Sequence, residues 1–187
     1  MKKFFASLLL FTVLASGAFA VERNWGFGVG PNRIQTSGTF DGSSWNMSRF
    51  GTCAFLFFGL SRYLELNAGF IAKDADGITI DGRHSSVFRG YSSALQAGAY
   101  GKFPFSLGSR FDLFPTAGVD FEFALESDWW NEIWLRGGVG ADVFLGERFF
   151  IRGHVLFGYG FPFGGDPALN VKSSTGMMGK IGLGWMF

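Results

Sequence analysis

The feature that most constrains this chain is a two-residue alternation of apolar with small or polar side chains. Successive side chains of a β-strand point to opposite faces, so this period predicts strands that are apolar on one face only. The alternation recurs along the chain and predicts eight strands, with boundaries fixed to within about two to four residues. The predicted strands span residues 23–30, 49–60, 64–73, 90–103, 111–125, 133–144, 149–160 and 174–187.

Composition argues against a membrane protein built from helices. The 187 residues are 48% hydrophobic and 17% charged. Beyond residue 20, however, no apolar stretch reaches the roughly 18 residues that a spanning helix needs. The hydrophobic residues lie instead in the alternating segments, as is typical of strands that face lipid on one side. The net charge of +1 gives no reason to expect nucleic acid as a partner.

The connections between the predicted strands alternate in length. Four long connections are predicted at residues 31–48, 74–89, 126–132 and 161–173. Three short turns are predicted at residues 61–63, 104–110 and 145–148. Long loops on one side and short turns on the other predict an all-β, eight-stranded antiparallel up-and-down barrel with both termini at the short-turn end.

The residues opposite the apolar faces indicate which side of the barrel is inside. A soluble barrel of the lipocalin kind would place the apolar face inward, but eight strands enclose only enough room for closely packed side chains. The apolar faces carry too many Phe and Trp side chains for that space, whereas the opposite faces are rich in glycine. We therefore expect the apolar faces to point outward, towards lipid. The second strand stays ambiguous, since Phe50, Leu56 and Phe58 oppose Phe55 and Phe57.

Aromatic residues near the predicted strand ends are expected at the membrane interface, which amphipathic rings favour. These residues are Trp25, Tyr63, Tyr91, Trp129, Trp130, Trp134, Tyr159 and Trp185.

Both ends of the chain carry recognisable patterns. A basic start and an apolar run over residues 4–15 precede Ala18-Phe19-Ala20, which fits the small-x-small cleavage site of a secretory signal. We expect cleavage after Ala20 to leave a barrel domain of residues 21–187; a membrane anchor is the alternative, but the run is short for one. The last strand alternates strictly and ends on an aromatic residue. Its apolar face comprises Ile181, Leu183, Trp185 and Phe187.

On these patterns, the chain resembles the small bacterial outer-membrane barrels of the outer membrane protein A, X and W class, including opacity-like proteins. The resemblance covers the whole mature sequence and implies an integral protein of the cell outer membrane. It implies outer-membrane lipid, the barrel-assembly machinery and periplasmic chaperones as partners, with host surface molecules as a further class. The terminal aromatic strand is similar to the signal that the assembly machinery reads.

Charged residues on the inward face are candidates for a network that fills the barrel, since an unpaired charge there would cost several kcal/mol. They are Glu65, Lys73, Lys102, Asp112, Asp120, Glu122, Arg136, Asp142, Arg152, His154 and Lys180. Turns centred near residues 107, 129 and 147 predict three directly opposed pairs. These pairs are Lys102 with Asp112, Glu122 with Arg136, and Asp142 with Arg152.

The sequence gives little support for catalysis, a metal or a cofactor. His154 has Leu156 two residues on, so no hydroxyl follows it at that spacing, and His84-Ser85 lies in a polar connection. Asp74-Ala75-Asp76-Gly77 begins like a calcium loop but lacks the later ligands. Cys53, the single cysteine, has no partner for an internal disulfide.

Two functions remain open from the sequence. The first is a non-enzymatic barrel whose surface loops serve envelope structure, adhesion or shielding. The alternative is a narrow transporter for small hydrophobic solutes that uses a lateral opening, for which Pro115 is the candidate position because proline removes a ladder donor. A local bulge would also account for Pro115.

Overall fold

The computed structural model describes residues 25–40, 42–125, 131–163 and 171–187. The predicted signal segment with Ala18 and Ala20 lies outside these ranges, as do Trp129 and Trp130. Within them, no helix is long and apolar enough to cross a membrane.

The described residues form nine β-strands, of which one is a two-residue segment. They are β1 (Trp25–Phe40), β2 (Ser43–Ser61), β3 (Leu64–Ile80), β4 (Arg83–Lys102), β5 (Phe105–Ser106), β6 (Phe111–Ala124), β7 (Asn131–Phe144), β8 (Phe149–Phe163) and β9 (Val171–Met186).

Each long strand pairs antiparallel with its neighbour in sequence, and two further pairings close the sheet. β1 pairs with β9, where the N–H of Phe187 donates to the Trp25 carbonyl at 3.1 Å, and β4 pairs with β6. Eight long strands thus form a closed barrel without a free lateral edge along its paired length, as the alternation predicted. We call the end with the short turns and Phe187 the turn end, and the opposite end the loop end.

The side chains that point outward and inward alternate along the strands as predicted. Neighbouring residues of β8 illustrate it, because Phe157 is 59% exposed on the outer surface and Leu156 is 2% exposed inside. The structure also resolves β2: Phe50, Leu56 and Phe58 point outward, while Phe55 and Phe57 point inward. The outer surface is therefore an apolar belt. One interface prediction is wrong, since the Trp134 side chain is buried in the interior.

Phenylalanine rings fill the turn end of the interior by lying over glycines of the neighbouring strand, with Phe55 paired with Gly28 and Phe150 with Gly184. A Cβ atom on Gly28 would lie 2.5 Å from the Phe55 ring, and one on Gly184 would lie 2.4 Å from the Phe150 ring. Phe57 meets Phe150 edge to face, with ring centroids 5.5 Å apart. We call Phe55, Phe57 and Phe150 the aromatic layer. The glycines that the sequence placed inward are needed there because a side chain would occupy the space of a ring.

Two of the predicted long loops are in fact strands. Most of residues 31–48 and 74–89 extends β1 to β4 beyond the apolar belt as two hairpins. Most of their outward residues are polar, with Ile80 an exception at 36% exposed, so the sequence resembles loops, but backbone hydrogen bonding between neighbours keeps them extended. The β3–β4 hairpin turns at Asp81-Gly82, where both residues have positive φ (46° and 79°), as a tight hairpin turn requires.

The two extended hairpins are joined at their tips and packed against the interior. Ser44 donates its backbone N–H to the Asp81 carboxylate at 2.7 Å, and Asp81 returns its own N–H to the Ser44 carbonyl at 2.9 Å. On the inner face, Trp45, Met47 and Ile78 are buried. Trp45 and Met47 therefore cover the mouth of the barrel, and they are not exposed contact residues of a surface loop.

The barrel interior as candidate functional site

Four charged side chains form a cluster near the turn end. Arg152 makes a bidentate contact with Asp142, with both N–O distances 2.7 Å, and its Nη1 lies 3.0 Å from Glu65 Oε1. Lys102 Nζ lies 2.6 Å from Glu65 Oε2. The Arg152 guanidinium also lies 4.0 Å from the centroid of the Phe57 ring, so the aromatic layer packs against it. We call Glu65, Lys102, Asp142 and Arg152 the turn-end cluster.

A second cluster lies nearer the loop end. Arg136 bridges Asp120 at 2.5 Å and Glu122 at 2.7 Å, and Lys73 Nζ lies 3.0 Å from Glu122. The Tyr100 hydroxyl donates to Asp120. Each carboxylate of this group therefore has two donors. We call Lys73, Asp120, Glu122 and Arg136 the loop-end cluster.

The predicted registers agree with the structure in one hairpin of three. Asp142 lies directly opposite Arg152, as predicted. Glu122 does not lie opposite Arg136: it faces Glu132, because the β6–β7 hairpin is centred at residue 127. Arg136 faces Gly118, and its side chain reaches along the barrel to Glu122, so the ion pair forms although the register was wrong.

The predicted pairing of Lys102 with Asp112 is also wrong. Lys102 faces Thr116, and Asp112 faces Ser106 and Asp142. The hairpin is centred at residue 109, with Gly108 at a φ of 83°, because the short β5 continues the ladder past the end of β4. Lys102 is thereby carried away from Asp112 and meets Glu65.

The remaining predicted residues, His154 and Lys180, lie between the two clusters without belonging to either. The Lys180 ammonium lies 5.5 Å from the centroid of the Phe55 ring, and the His154 ring contacts Phe114 edge on. Within the described residues, His154 Nδ1 has no hydrogen-bond partner. Both side chains line a small internal cavity next to Glu65 and Lys102.

Two interior charges were missed by the sequence reasoning. Glu132 is buried and accepts hydrogen bonds from Trp134 Nε1 at 3.1 Å and from Ser174 Oγ at 2.9 Å. Arg49 is buried on the same face of β2 as Phe55. The available signal was the face of the strand on which each residue lies in the two-residue alternation. Glu132 lies just before the predicted start of its strand, and Arg49 lies on the face of β2 that was left ambiguous.

The loop-end cluster borders a cleft that opens at the outer part of the β4–β6 pairing. It is lined by Arg49, Lys73, Ser92, Ser93, Ala94, Glu122, Ala124 and Glu132. The ladder between β4 and β6 runs from Ala94 opposite Ala124 to Lys102 opposite Thr116, and one further hydrogen bond joins the Leu125 N–H to the Ser93 carbonyl. The lining carries both signs of charge, so the cleft is polar.

The chemistry available in the interior is mainly that of neutral ion-paired clusters. Five carboxylates are held by cations or by hydroxyl and indole donors: Glu65, Asp120, Glu122, Glu132 and Asp142. Within the part of the chain that the structure describes, no group of three or more His, Cys, Asp and Glu side chains is placed to hold a metal ion. The arrangement fills space and pairs charges.

Comparison with known proteins shows the fold. No protein-family model and no curated protein matches the sequence. The structure is similar to that of the outer membrane protein OprG from Pseudomonas aeruginosa, with a TM-score of 0.52, 13% identity, and coverage of 88% of this chain and 96% of that chain. It is also similar to Neisserial surface protein A, with a TM-score of 0.52, 10% identity, and coverage of 86% and 97%. The predicted resemblance to small eight-stranded outer-membrane barrels is confirmed at the level of fold.

Proposed function

We propose that this chain is a non-enzymatic integral barrel of the outer membrane with a closed interior and a surface role carried by its extended hairpins. The observation that carries the proposal is the combination of an apolar outer belt with an interior occupied by ion-paired clusters and aromatic rings. A wall of this kind suits lipid, and a filled interior does not suit an aqueous path.

The chain termini fit this proposal. A secretory signal cleaved after Ala20 would deliver the chain to the periplasm, where chaperones and the assembly machinery would meet the strand of Ile181, Leu183, Trp185 and Phe187. In the folded barrel the Phe187 ring stacks on Trp25 at 3.9 Å, which joins the start of β1 to the residue that follows β9.

The hairpins support a role in envelope structure, adhesion or shielding. β1 to β4 rise beyond the apolar belt with polar residues such as Gln35, Asn46 and Asp74 outward, and their tips are joined through Ser44 and Asp81. A stiff and mainly polar projection of this kind can meet lipopolysaccharide or a host surface molecule.

Single-channel recording in planar bilayers tests the closed interior. The wild-type protein is expected to give no current steps, because both clusters and the aromatic layer block the path. Regular steps from the wild type would contradict the proposal. Steps that appear only on neutralisation, in an Arg136→Met or Glu122→Gln variant, would identify the loop-end cluster as part of the block.

The alternative function, lateral passage of small hydrophobic solutes, is favoured by one observation. The ladder between β4 and β6 ends at Ala94 opposite Ala124, followed by a hydrogen bond from the Leu125 N–H to the Ser93 carbonyl at 3.0 Å, and the cleft lies at that end. The polar lining of the cleft argues against apolar solutes, which is why the closed barrel is preferred.

Pro115 offers less support for a lateral opening. It lies in register with Val139, and its carbonyl accepts the N–H of Phe103 at 3.0 Å, so the wall is continuous there.

Liposome uptake tests separately whether a solute passes at Pro115 or at the loop end of the β4–β6 pairing. Unchanged flux in a Pro115→Val variant would exclude a gate at Pro115. Flux lost on cross-linking an Ala94→Cys, Ala124→Cys pair in a Cys53→Ser background would support an opening at the loop end.

A further inference from the structure

Each of the three short turns at the turn end carries one arginine. Arg62 lies between β2 and β3, Arg110 precedes β6, and Arg148 precedes β8. All three side chains are exposed. The same turns contain one acidic residue, Glu147, so this rim of the barrel is positively charged. We call these three residues the arginine rim.

The arginine rim lies beside a girdle of aromatic side chains. Trp185 packs edge on against Phe149 with centroids 4.4 Å apart, and Tyr63 stacks on Phe103 at 5.3 Å. Trp25 and Phe187 stack in the part of the girdle where β1 meets β9. Amphipathic rings of this kind favour the level of lipid headgroups, so the girdle marks where the membrane ends.

Two of the arginines lie against rings of this girdle. The Arg62 guanidinium carbon is 5.9 Å from the Tyr63 ring centroid, and that of Arg148 is 5.7 Å from the Trp185 centroid. The backbone also holds these turns in place, since the Arg110 carbonyl accepts the Phe144 N–H and the Arg148 carbonyl accepts the Met186 N–H, both at 2.8 Å. The guanidinium groups of Arg62 and Arg148 are thus kept beside the girdle, and the backbone of Arg110 is held at the same end of the barrel.

Phosphate is the chemistry that this arrangement recognises. A guanidinium group is weakly hydrated and offers paired N–H donors that match phosphate oxygens. The opposite end of the barrel has no comparable bias among the described exposed residues, because Arg33 and Arg83 are accompanied there by Asp74 and Asp81. The positive charge is therefore specific to the turn end.

We propose that the arginine rim binds the phosphate groups of anionic phospholipids in the leaflet at the turn end. This inference rests on the proposed integral barrel and adds a lipid preference to it. Each arginine would hold one headgroup beside the girdle, while the exposed apolar residues Leu107 and Leu145 next to the turns contact the acyl chains. The three sites are separate, so they are expected to act additively.

Native mass spectrometry of the detergent-solubilised protein tests the proposal, with phosphatidylglycerol and phosphatidylcholine present at equal concentration. The wild type is expected to retain phosphatidylglycerol in preference, by about five-fold for each arginine, which corresponds to about 1 kcal/mol per basic side chain at an anionic surface. Single Arg62→Gln, Arg110→Gln and Arg148→Gln variants should each lose one retained lipid, and the triple variant should lose the preference.

An Arg33→Gln, Arg83→Gln double variant is the matched control and should retain the wild-type preference. A triple variant that still prefers phosphatidylglycerol, or a control that loses the preference equally, would overturn the inference. Electrophoretic mobility with and without heating shows whether each protein is folded as a barrel. It therefore separates loss of lipid binding from failure to form the proposed barrel. A folded wild type without lipid preference would overturn only the arginine rim, whereas a wild type without a mobility shift would refute the proposed integral barrel.

Discussion

The two charged clusters of the interior are built alike and surrounded differently. At the turn end, Arg152 bridges two carboxylates and lies 4.0 Å from the Phe57 centroid; at the loop end, Arg136 bridges two carboxylates and lies 4.7 Å from the Trp134 centroid. The turn-end cluster is packed against the aromatic layer, whereas the loop-end cluster borders an open cleft that Glu122 helps to line.

The clusters also differ in how many partners each carboxylate would keep if its arginine were lost. Among the described contacts, Asp142 is held by Arg152 alone. At the loop end, Glu122 would keep Lys73, and Asp120 would keep the Tyr100 hydroxyl. Glu65 would keep Lys102, so the loss at the turn end falls on Asp142, whereas at the loop end neither carboxylate is left without a donor.

The largest effect is expected from Arg152→Met. This change leaves the Asp142 carboxylate buried with no cation among its described contacts, which should cost about 3–5 kcal/mol of the free energy of unfolding. Urea unfolding in lipid vesicles, followed by tryptophan fluorescence, measures it. A loss below about 1 kcal/mol, the range of an exposed pair, would show that Asp142 is hydrated or otherwise held.

Arg136→Met is the matched change at the loop end and should lower the free energy of unfolding by less, about 1–3 kcal/mol. The reason is that both carboxylates keep a donor in the variant. The same unfolding measurement applies. If Arg136→Met were as damaging as Arg152→Met, the redundancy argued for the loop-end cluster would be wrong.

Gly28→Ala tests the aromatic layer against which the turn-end cluster packs. The new methyl group would lie 2.5 Å from the Phe55 ring, and such overpacking should cost about 1 kcal/mol or more. Gly179→Ala is the control, because nothing lies within 4 Å of a Cβ atom there and strand glycine is itself unfavourable. Equal stability of the two variants would show that the aromatic layer accommodates the added methyl group at little energetic cost.

The smallest effect on stability is expected beyond the apolar belt, at the tips of the two extended hairpins. Hydrogen bonds from Ser43 and from the backbone N–H of Ser44 lower the pKa of Asp81 below its usual value of 3.8. Because the folded pKa is the lower one, the contribution of the contact is complete above pH 3.8 and is lost as pH falls through the folded value. The protection factor of the Ser44 amide, in which the exchange rate is corrected for its intrinsic pH dependence, should therefore fall on acidification in the wild type. An Asp81→Asn variant should show no such pH step.

The sequence predicted the strand number, the sidedness and most interior charges, because all three depend on a two-residue period. It did not predict that β1 and β2 extend through residues 31–48, because alternation of polar residues against Trp45 and Met47 does not stand out from a loop. It misplaced two registers, because a turn centre that shifts by two residues shifts every facing pair by four, as Glu122 and Lys102 show.

The site residues that sequence reasoning missed have a related cause. Phe55 and Phe57 share a face with Arg49, and only the closed barrel reveals that this face is inward. Trp134 was assigned to the interface because it lies near a strand end, yet its ring packs on glycine: a Cβ atom on Gly160 would lie 2.9 Å from it. Which aromatic ring enters the interior depends on where the facing residue of the neighbouring strand is a glycine, as Gly160 is opposite Trp134.

Paired cysteine labelling in β8 tests the inside-out arrangement most directly. In a Cys53→Ser background, Phe157→Cys and Leu156→Cys place a thiol at the same depth on opposite sides of the wall. A thiol-reactive probe carried on a lipid acyl chain should label the Phe157→Cys protein and leave the folded Leu156→Cys protein unmodified. Preferential labelling of the Leu156→Cys protein would contradict the account.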